Sequence, residues 1–564
     1  MFTQIYENLK SGSDAVALQF FSLTALLLLV GLPLLAVVLF AVFPQLNMLS
    51  FNGAFSQWAI NLGNPELLNA IKNSLVLGVS VVLFSIVIGV PLAYMRSTLP
   101  PRSGAVWDLI ALTPFLVPPY IGAASWIQLF QKNGFIEQIF GVNFAEYLFS
   151  FWGLVWVMTL HLYPIIYFAT ATAFKIAGNR YSDAAFCCGA NKFHTFCRIQ
   201  FPLALSAIAS SSLIVFILTV EEFGTPEILG QRFDFDVIVT VIHEKFSDWP
   251  IDLPGASILS LVLIGIAFTF FALHLLIIKK FSVQTEASVV QARSNNSSIE
   301  TMFYWLVFAV VALFSVVLPL MAIIARSFMG TVSGGLTLEN ISLINYAEIF
   351  AVNSDAWEAL STSLFLAVSA SVLCVLIAIV SCFTIVRYKN RLTVILDFLA
   401  ILPSAIPGMA LAVGLILVWN QAFWPITPYN SIVILLLAYC CLMLPYPIRM
   451  IGSAMRQLPS SLDDAAYISG ASEVNVAFRI LFPIISPIAF ASGFIVFAIA
   501  SRELVTSVML APAGVETVAI FVFSQFDQGS INVGMAMSVV TIIVTGGLII
   551  AAQRLAKFNR VDGI

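Results

Sequence analysis

Charged residues are scarce in this 564-residue sequence: Asp, Glu, Lys and Arg make up 10% of it, and hydrophobic residues make up 60%. Its mean hydropathy is +1.00. Because soluble domains carry about 25% charged residues, the composition excludes an ordinary soluble protein and predicts a membrane protein with many spans. The net charge of −4 identifies no partner, and we expect membrane lipid but no nucleic acid around the chain.

Two motifs are also missing. The sequence has no GxxxxGK[ST] phosphate-binding loop, so we expect that the chain is not an ATP-hydrolysing enzyme of that kind and that any ATP-derived energy comes from a partner. No two of the seven cysteines have CxxC spacing. Since all of them fall in predicted spans or cytoplasmic loops, we expect free thiols rather than disulfides.

Long apolar runs fill most of the sequence. A bilayer crossing takes about 20 apolar residues, and twelve runs reach that length. They form two sets of six, which predicts an all-α polytopic fold with about 12 transmembrane helices. The predicted spans are 20–43, 73–95, 106–130, 148–174, 200–221, 257–278, 302–326, 361–386, 393–418, 430–453, 482–504 and 533–555.

The distribution of basic residues orients these spans. With both termini in the cytoplasm, nineteen of the 25 Lys and Arg residues face inward and six face outward. This bias follows the positive-inside rule and predicts a multi-pass protein of the cytoplasmic membrane. The beginning of the sequence lacks the features of a signal peptide, so we expect the first apolar run to be a retained span.

One short segment occurs twice, 281 residues apart. The first cassette is DAAFCCGANKFHTFCRIQFP (183–202) and the second cassette is DAAYISGASEVNVAFRILFP (464–483). They share an acidic-Ala-Ala start, a Gly, an Arg-Ile pair and a final Phe-Pro in the same register. Other pairs lie 289 residues apart, namely Asp108 with Asp397, Pro114 with Pro403 and Pro118 with Pro407. A repeat of this length predicts two homologous halves.

A polar segment divides the predicted halves. It reads FSVQTEASVVQARSNNSSIE (281–300), and its Ser and Asn content predicts a flexible cytoplasmic linker. The predicted first half is 1–280, with its loop near 180–200. The predicted second half is 301–564, with its loop near 461–481.

The cassette spacing resembles the EAA loop of binding-protein-dependent ABC importer permeases, with Asp in place of the usual Glu. In that family the loop forms a short coupling helix that docks on an ATPase subunit. The resemblance therefore implies a type I importer fold in a bacterial inner membrane, two copies of an ABC ATPase that hold the ATP and Mg, and a periplasmic or extracellular solute-binding protein. The implied ATPase-coupling residues are Asp183, Ala184, Ala185, Gly189, Ala190, Asp464, Ala465, Ala466, Gly470 and Ala471.

The residue types in the cassettes suit such a helix. Gly189 and Gly470 permit a tight turn or a close approach that a side chain would block. Asp183 and Asp464 favour a helix start, through capping or the helix dipole. Two well-capped loops without a docking role are the alternative, but capping alone does not explain the matched register.

Acidic residues follow the span after each cassette. Glu221 and Glu222 lie in LTVEEFGTPEILG, and Arg502 and Glu503 occupy the same register in AIASRELVTSVML. Ionisable residues at membrane depth cost about 2.5–3.5 kcal/mol at a helix centre and are usually functional. These residues could receive a cation, with Glu222 and Glu503 as transient metal contacts. They could instead be solvated carboxylates at an interfacial helix end.

Two residues of the fourth predicted span could line the same route. His161 and Tyr163 lie beside Pro164, and the alternative for His161 is a hydrogen-bonded structural histidine.

With both halves in one chain and EEFGTPEILG after the first cassette, the sequence resembles ferric iron permeases, close to thiamine and 2-aminoethylphosphonate permeases. That resemblance implies ferric iron as the cargo. Hard oxygen ligands suit Fe(III) but also an ammonium group, so thiamine, 2-aminoethylphosphonate and polyamine stay open. A secondary transporter also has twelve spans and internal repeats, but it needs no paired docking cassettes, and a channel needs neither feature.

Overall fold

The computed structural model describes residues 13–46, 50–281, 297–352, 354–388, 390–421 and 424–561. This part of the chain is helical, and its one β-type contact is an isolated bridge between Met329 and Ile341. Within it, nine helices are long and apolar enough to cross a membrane, and counting each of three bent pairs as one span gives twelve. The predicted all-α fold with about 12 spans is therefore confirmed.

The twelve spans, here named α1 to α12, follow one order in both halves. The first half contains α1 (Val16–Val42), α2 (Pro65–Thr98), α3 (Arg102–Phe115 and Pro119–Phe140), α4 (Phe151–Lys175), α5 (Lys192–Glu221) and α6 (Leu253–Lys280). The second half contains α7 (Ser298–Ser327), α8 (Asp355–Arg387), α9 (Arg391–Ala405 and Gly408–Trp419), α10 (Ile432–Met443 and Pro445–Gln457), α11 (Glu473–Ala500) and α12 (Ile531–Leu548). Short helices between the spans include Ser56–Gly63, Ile238–Ser247, Ile344–Ile349, Ser461–Ile468, Val505–Leu510 and Val518–Asp527.

The predicted linker, 281–300, lies mostly outside the described residues. Its last residues begin α7 instead. The Ser297 side chain accepts a hydrogen bond from the Glu300 amide, and the Glu300 carboxylate accepts one from the Ser297 amide. This capping box fixes the start of the helix.

The third span of each half is broken at matching positions. The two arms of α3 meet at 91° and those of α9 at 117°. Val117 and Ile406 are extended at the breaks, with ψ angles of 123° and 120°. Each precedes a proline, Pro118 or Pro407, whose ring disfavours helical backbone at the residue before it. Proline therefore explains why both helices end there.

The sequence predicts one span at 106–130 and one at 393–418, and it does not predict these breaks. A proline alone does not decide the outcome. Pro445 lies where α10 bends by 44°, whereas its counterpart Pro164 lies inside the unbroken helix of α4.

The two halves interlock through their first spans. In α1, Leu26, Leu29 and Val30 belong to the core formed mainly by the second half. In α7, Phe308 stacks on Trp107 of α3 with 4.4 Å between ring centroids. Because each first span packs against the opposite half, neither half buries its apolar surface alone.

Candidate functional site

The glycines of both cassettes end a helix in the same way. Gly189 and Gly470 have φ angles of +82° and +83°, in the left-handed region that glycine adopts without strain. The Ala190 amide donates to the Ala185 carbonyl at 2.9 Å, and the Ala471 amide donates to the Ala466 carbonyl at 3.0 Å. Each glycine thus occupies the turn of a Schellman motif.

The two cassettes begin differently. Asp464 lies in the first turn of a separate helix, Ser461–Ile468, as the sequence predicts. Asp183 lies inside one continuous helix, Phe151–Cys187, which extends from α4, so the predicted helix start at Asp183 is wrong. The reason is Pro459, which separates the second-cassette helix from α10; the corresponding stretch before the first cassette contains no proline.

The cassettes present an apolar surface around their turns. Phe193 is 72% exposed and Ile468 is 88% exposed. Ala184, Gly189, Ala465 and Gly470 are exposed as well, while Ala466 is buried. Exposed apolar side chains beside small residues are typical of a surface that contacts another protein.

The acidic residues after α5 and α11 form two matching turns, which we call the acid turns. The Glu222 carboxylate accepts hydrogen bonds from the Thr225 amide at 2.9 and 3.0 Å. The Glu503 carboxylate accepts one from the Thr506 amide at 3.1 Å and one from its hydroxyl at 3.3 Å. Both glutamates are partly exposed. Each carboxylate therefore caps the backbone that follows it.

The acid turns approach each other where the halves meet. A Cβ atom at Gly224 would lie 2.7 Å from Tyr120 Cβ and 3.0 Å from Leu504 Cδ2. Leu504 directly follows Glu503. The structure therefore brings the turns that carry Glu222 and Glu503 to one interface between the halves.

Arg502 connects the two halves. Its Nη1 donates a hydrogen bond to the backbone carbonyl of Phe115, at the break in α3. In a continuous helix that carbonyl would accept from the amide of residue 119, but Pro119 has no N–H. Arg502 thus supplies a hydrogen-bond donor to a backbone carbonyl that has no helical donor at the break. Glu221 and Glu503 lie close enough to Tyr446 of α10 to interact with it electrostatically, as does Arg502.

The two predicted residues of α4 have different surroundings. The His161 ring contacts Phe115 with 5.9 Å between ring centroids, and His161 lines a cavity of about 30 Å³ with Thr225 and Ser315. That volume holds about one or two waters. Tyr163 is 2% exposed, and its hydroxyl lies 3.4 Å from Ser315 Oγ. His161 therefore reaches the first acid turn, whereas Tyr163 packs between α4 and α7.

Sequence reasoning missed a second polar cavity, of about 80 Å³, near the end of α3. Gln128, Gln131, Glu227, Gln231 and Arg232 contribute to its lining. Glu227 is buried and accepts a hydrogen bond from Gln231 Nε2 at 2.5 Å. The only sequence signal for this cavity was the acidic residue Glu227 within TPEILG. Val508 occupies the matching position of the second half, so comparison of the two repeats does not single out Glu227.

Side chains that could ligate a metal do not cluster in the part of the chain that the structure describes. Among the described residues, no group of three or more His, Cys, Asp or Glu side chains could hold a metal ion.

Comparison with known proteins supports a transport function. Residues 375–559 match the family model described as binding-protein-dependent transport system inner membrane component. A ferric transport system permease protein of Actinobacillus pleuropneumoniae is 26% identical, over 87% of this chain and 71% of that protein. An Fe(3+)-transport system permease protein of Haemophilus influenzae is 22% identical, over 93% of this chain and 96% of that protein.

A shorter relative matches about one half. A protein of Salmonella paratyphi A, provisionally named a 2-aminoethylphosphonate transport system permease, is 24% identical over 42% of this chain and 86% of its own length. The family match over residues 375–559, the apolar helices and these relatives support a multi-pass inner-membrane permease of an ABC importer, and over most of its length the chain is similar to ferric iron permeases.

Proposed function

We propose that this permease imports ferric iron delivered by a solute-binding protein, by alternating access driven by two ATPase subunits at the two cassettes. The cargo assignment is supported by relatives named for ferric transport, which match 87% and 93% of the chain. The permease supplies the path, and ATP and Mg are bound by the partner subunits.

The matching turns of the two cassettes support the proposal that an ATPase subunit docks at each of them. Both end in a glycine with nearly the same φ angle, and both carry an exposed apolar side chain four residues later, Phe193 and Val474. One ATPase surface could therefore dock at each cassette in a similar way. The distribution of basic residues supports a cytoplasmic location for both cassettes and both termini.

The acid turns suit passage of a cation between the halves. Glu221, Glu222 and Glu503 contribute three carboxylates, and the one nearby guanidinium in the same turns, that of Arg502, is directed to the Phe115 carbonyl. When the spans change from outward-open to inward-open, the contact between Gly224 and Leu504 would have to open. A cation could then pass the two partly exposed glutamates in succession.

A second cargo class, an organic solute with an ammonium group, is favoured by one observation. The Salmonella relative is named for 2-aminoethylphosphonate, and an ammonium group would also suit carboxylates, as it would in thiamine-like or polyamine solutes. A phosphonate, however, would need a cationic partner, and the Arg502 guanidinium already donates one of its five N–H groups to the Phe115 carbonyl.

The coupling proposal is tested by co-purification of the permease with its ATPase. We expect two ATPase subunits for each chain, and one when a single cassette is disabled by Asp464→Lys. The matched control is Asp397→Lys, which alters a partly exposed carboxylate outside the cassettes. An unmodified chain that captures no ATPase, but transports solute with an ion gradient, would indicate a secondary transporter.

A further inference from the structure

A buried ion pair ties the second-cassette helix to α8. Arg387, the last residue of α8, places its Nε 2.7 Å from Asp463 Oδ2, and the two side chains are only 11% and 7% exposed. Arg387 Nη1 also donates to the Leu458 carbonyl at 3.3 Å, just beyond the end of α10. One arginine therefore joins α8, the end of α10 and the helix Ser461–Ile468.

A second bond ties the same helix to α11. The Tyr467 hydroxyl donates to Glu473 Oε2 at 2.5 Å, and Glu473, the first residue of α11, is 4% exposed. Burial and then the bond to Glu473 raise the pKa of Tyr467, so its hydroxyl keeps the proton that it donates. We call Arg387, Asp463, Tyr467 and Glu473 the clamp.

The first half has different residues at all four clamp positions. The corresponding residues in the repeat register are Thr98, Ser182, Phe186 and Lys192. None of these side chains can reproduce the ion pair or the bond from a tyrosine to a carboxylate. The difference lies in the sequence itself and not only in the local conformation.

The charges near the first cassette make other contacts. Arg96, near the end of α2, pairs with Asp108 of α3, with nitrogen–oxygen distances of 2.9 and 2.7 Å. Lys192 lies 2.6 Å from Glu300 at the start of α7, but both side chains are substantially exposed, at 47% and 38%. An exposed pair is weakened by solvent and salt, so it holds the first cassette less firmly than a buried pair holds the second.

We propose that the two coupling helices are mechanically unequal, with Arg387 as the positioning residue that makes the second a rigid lever on α8, α10 and α11. This inference rests on the proposed function. A push on the clamped helix moves three spans together. A push on the first cassette is transmitted chiefly along the continuous helix that extends from α4.

Hydrogen–deuterium exchange of the solubilised full-length permease tests the clamp without any ATPase. An eight-residue helix is marginal on its own, so slow exchange within 461–468 in the unmodified protein requires tertiary contacts, and the effect of Arg387→Gln measures the share that the clamp contributes. We expect Arg387→Gln to speed exchange there about tenfold and to leave α4 unchanged. Arg456→Gln is the matched control, because Arg456 is 61% exposed and 3.8 Å from Asp397. Exchange in the unmodified helix as fast as in an unfolded peptide would overturn the proposal.

Transport measurements then test the positioning role. In proteoliposomes, we expect Arg387→Gln to retain ATPase capture and ATP hydrolysis but to import several-fold less solute per ATP. Arg387→Lys should restore part of the amount of solute imported per ATP, because Lys can pair with Asp463 but lacks the forked donor geometry of Arg. Exchanging the charges, with Arg387→Asp and Asp463→Arg together, should recover part of it as well.

The outcomes separate this inference from the proposed function. An unchanged ratio of solute to ATP in Arg387→Gln, or an equal fall in Arg456→Gln, would overturn the lever. If the unmodified chain captured no ATPase, the coupling function would fail, and the inference would fail with it even if exchange showed the clamp. If Arg387→Gln does not assemble, exchange in the unmodified protein still decides whether the second-cassette helix is held in place.

Discussion

Gly189 and Gly470 hold positive φ angles, and a Cβ atom added at either position would meet no atom within 4 Å. Glycine is therefore required there by the turn and not by close packing. The sequence is compatible with either a tight turn or close packing at these glycines, and the positive φ angles show that the turn requires them.

A methyl group at either glycine should weaken ATPase docking. A non-glycine residue in the left-handed region costs about 1–2 kcal/mol, so Gly470→Ala should distort the turn and lower ATPase capture about tenfold. Gly546→Ala in α12 is the matched control, because a Cβ atom there also meets nothing within 4 Å and its φ is not positive. The measurement is the amount of ATPase that co-purifies, and equal capture by both variants would contradict a docking role for the turn.

The charges of Glu222 and Glu503 can be separated from their capping role. Glu→Gln at both positions keeps an oxygen that can accept from the Thr225 and Thr506 amides but removes both charges. If the carboxylates attract a cation, uptake should fall about tenfold or more while ATPase capture stays normal, in line with the cost of about 1–3 kcal/mol for losing a partner of a charged group. Uptake at the unmodified rate in the double variant would mean that the glutamates serve only as caps.

At the scale of elements, the packing of the first acid turn against α3 depends on Gly224. A Cβ atom there would lie 2.7 Å from Tyr120 Cβ, and neither atom is the end of a flexible side chain. Gly224→Ala should therefore separate α3 from the first acid turn, cost about 1–3 kcal/mol as overpacking does, and lower the melting temperature. Gly122→Ala in α3 is the control, because it has open space for a methyl group. Equal melting temperatures would argue against this contact.

Sequence patterns predicted most elements but not their bends. Apolar run length located the spans because each crossing needs about 20 such residues. The prolines did not predict the bends, since Pro445 lies at a bend and Pro164 does not. A helix tolerates proline when neighbouring groups satisfy the freed backbone, and those neighbours are set by tertiary packing.

The candidate sites were predictable to a similar extent. The repeat register paired Glu222 with Glu503 and Gly189 with Gly470, and the structure gives each pair matching local geometry. It did not predict that Arg502 bonds to the Phe115 carbonyl, 387 residues away in sequence. Local patterns identify a donor, but the choice of a distant acceptor depends on how the halves pack.

At the scale of the whole molecule, α1 and α7 interlock the halves. The Thr384 hydroxyl in α8 donates to Ser22 Oγ in α1 at 3.4 Å, and α7 packs on α3. Two chains divided after residue 290 should therefore assemble when produced together and should aggregate or be degraded when produced alone. Co-purification of the two fragments measures this. Independent, stable fragments would contradict an interlocked core.

We propose that this chain couples ATP hydrolysis by partner subunits, docked at its cassettes, to the import of ferric iron. The most direct test is uptake into proteoliposomes that contain the permease and its ATPase, with binding protein loaded in parallel with ferric iron, thiamine or 2-aminoethylphosphonate. We expect iron to accumulate only when ATP, the ATPase and the binding protein are all present. Accumulation of an organic solute alone would contradict the iron assignment, and solute accumulation driven by an ion gradient without ATPase would contradict the importer mechanism.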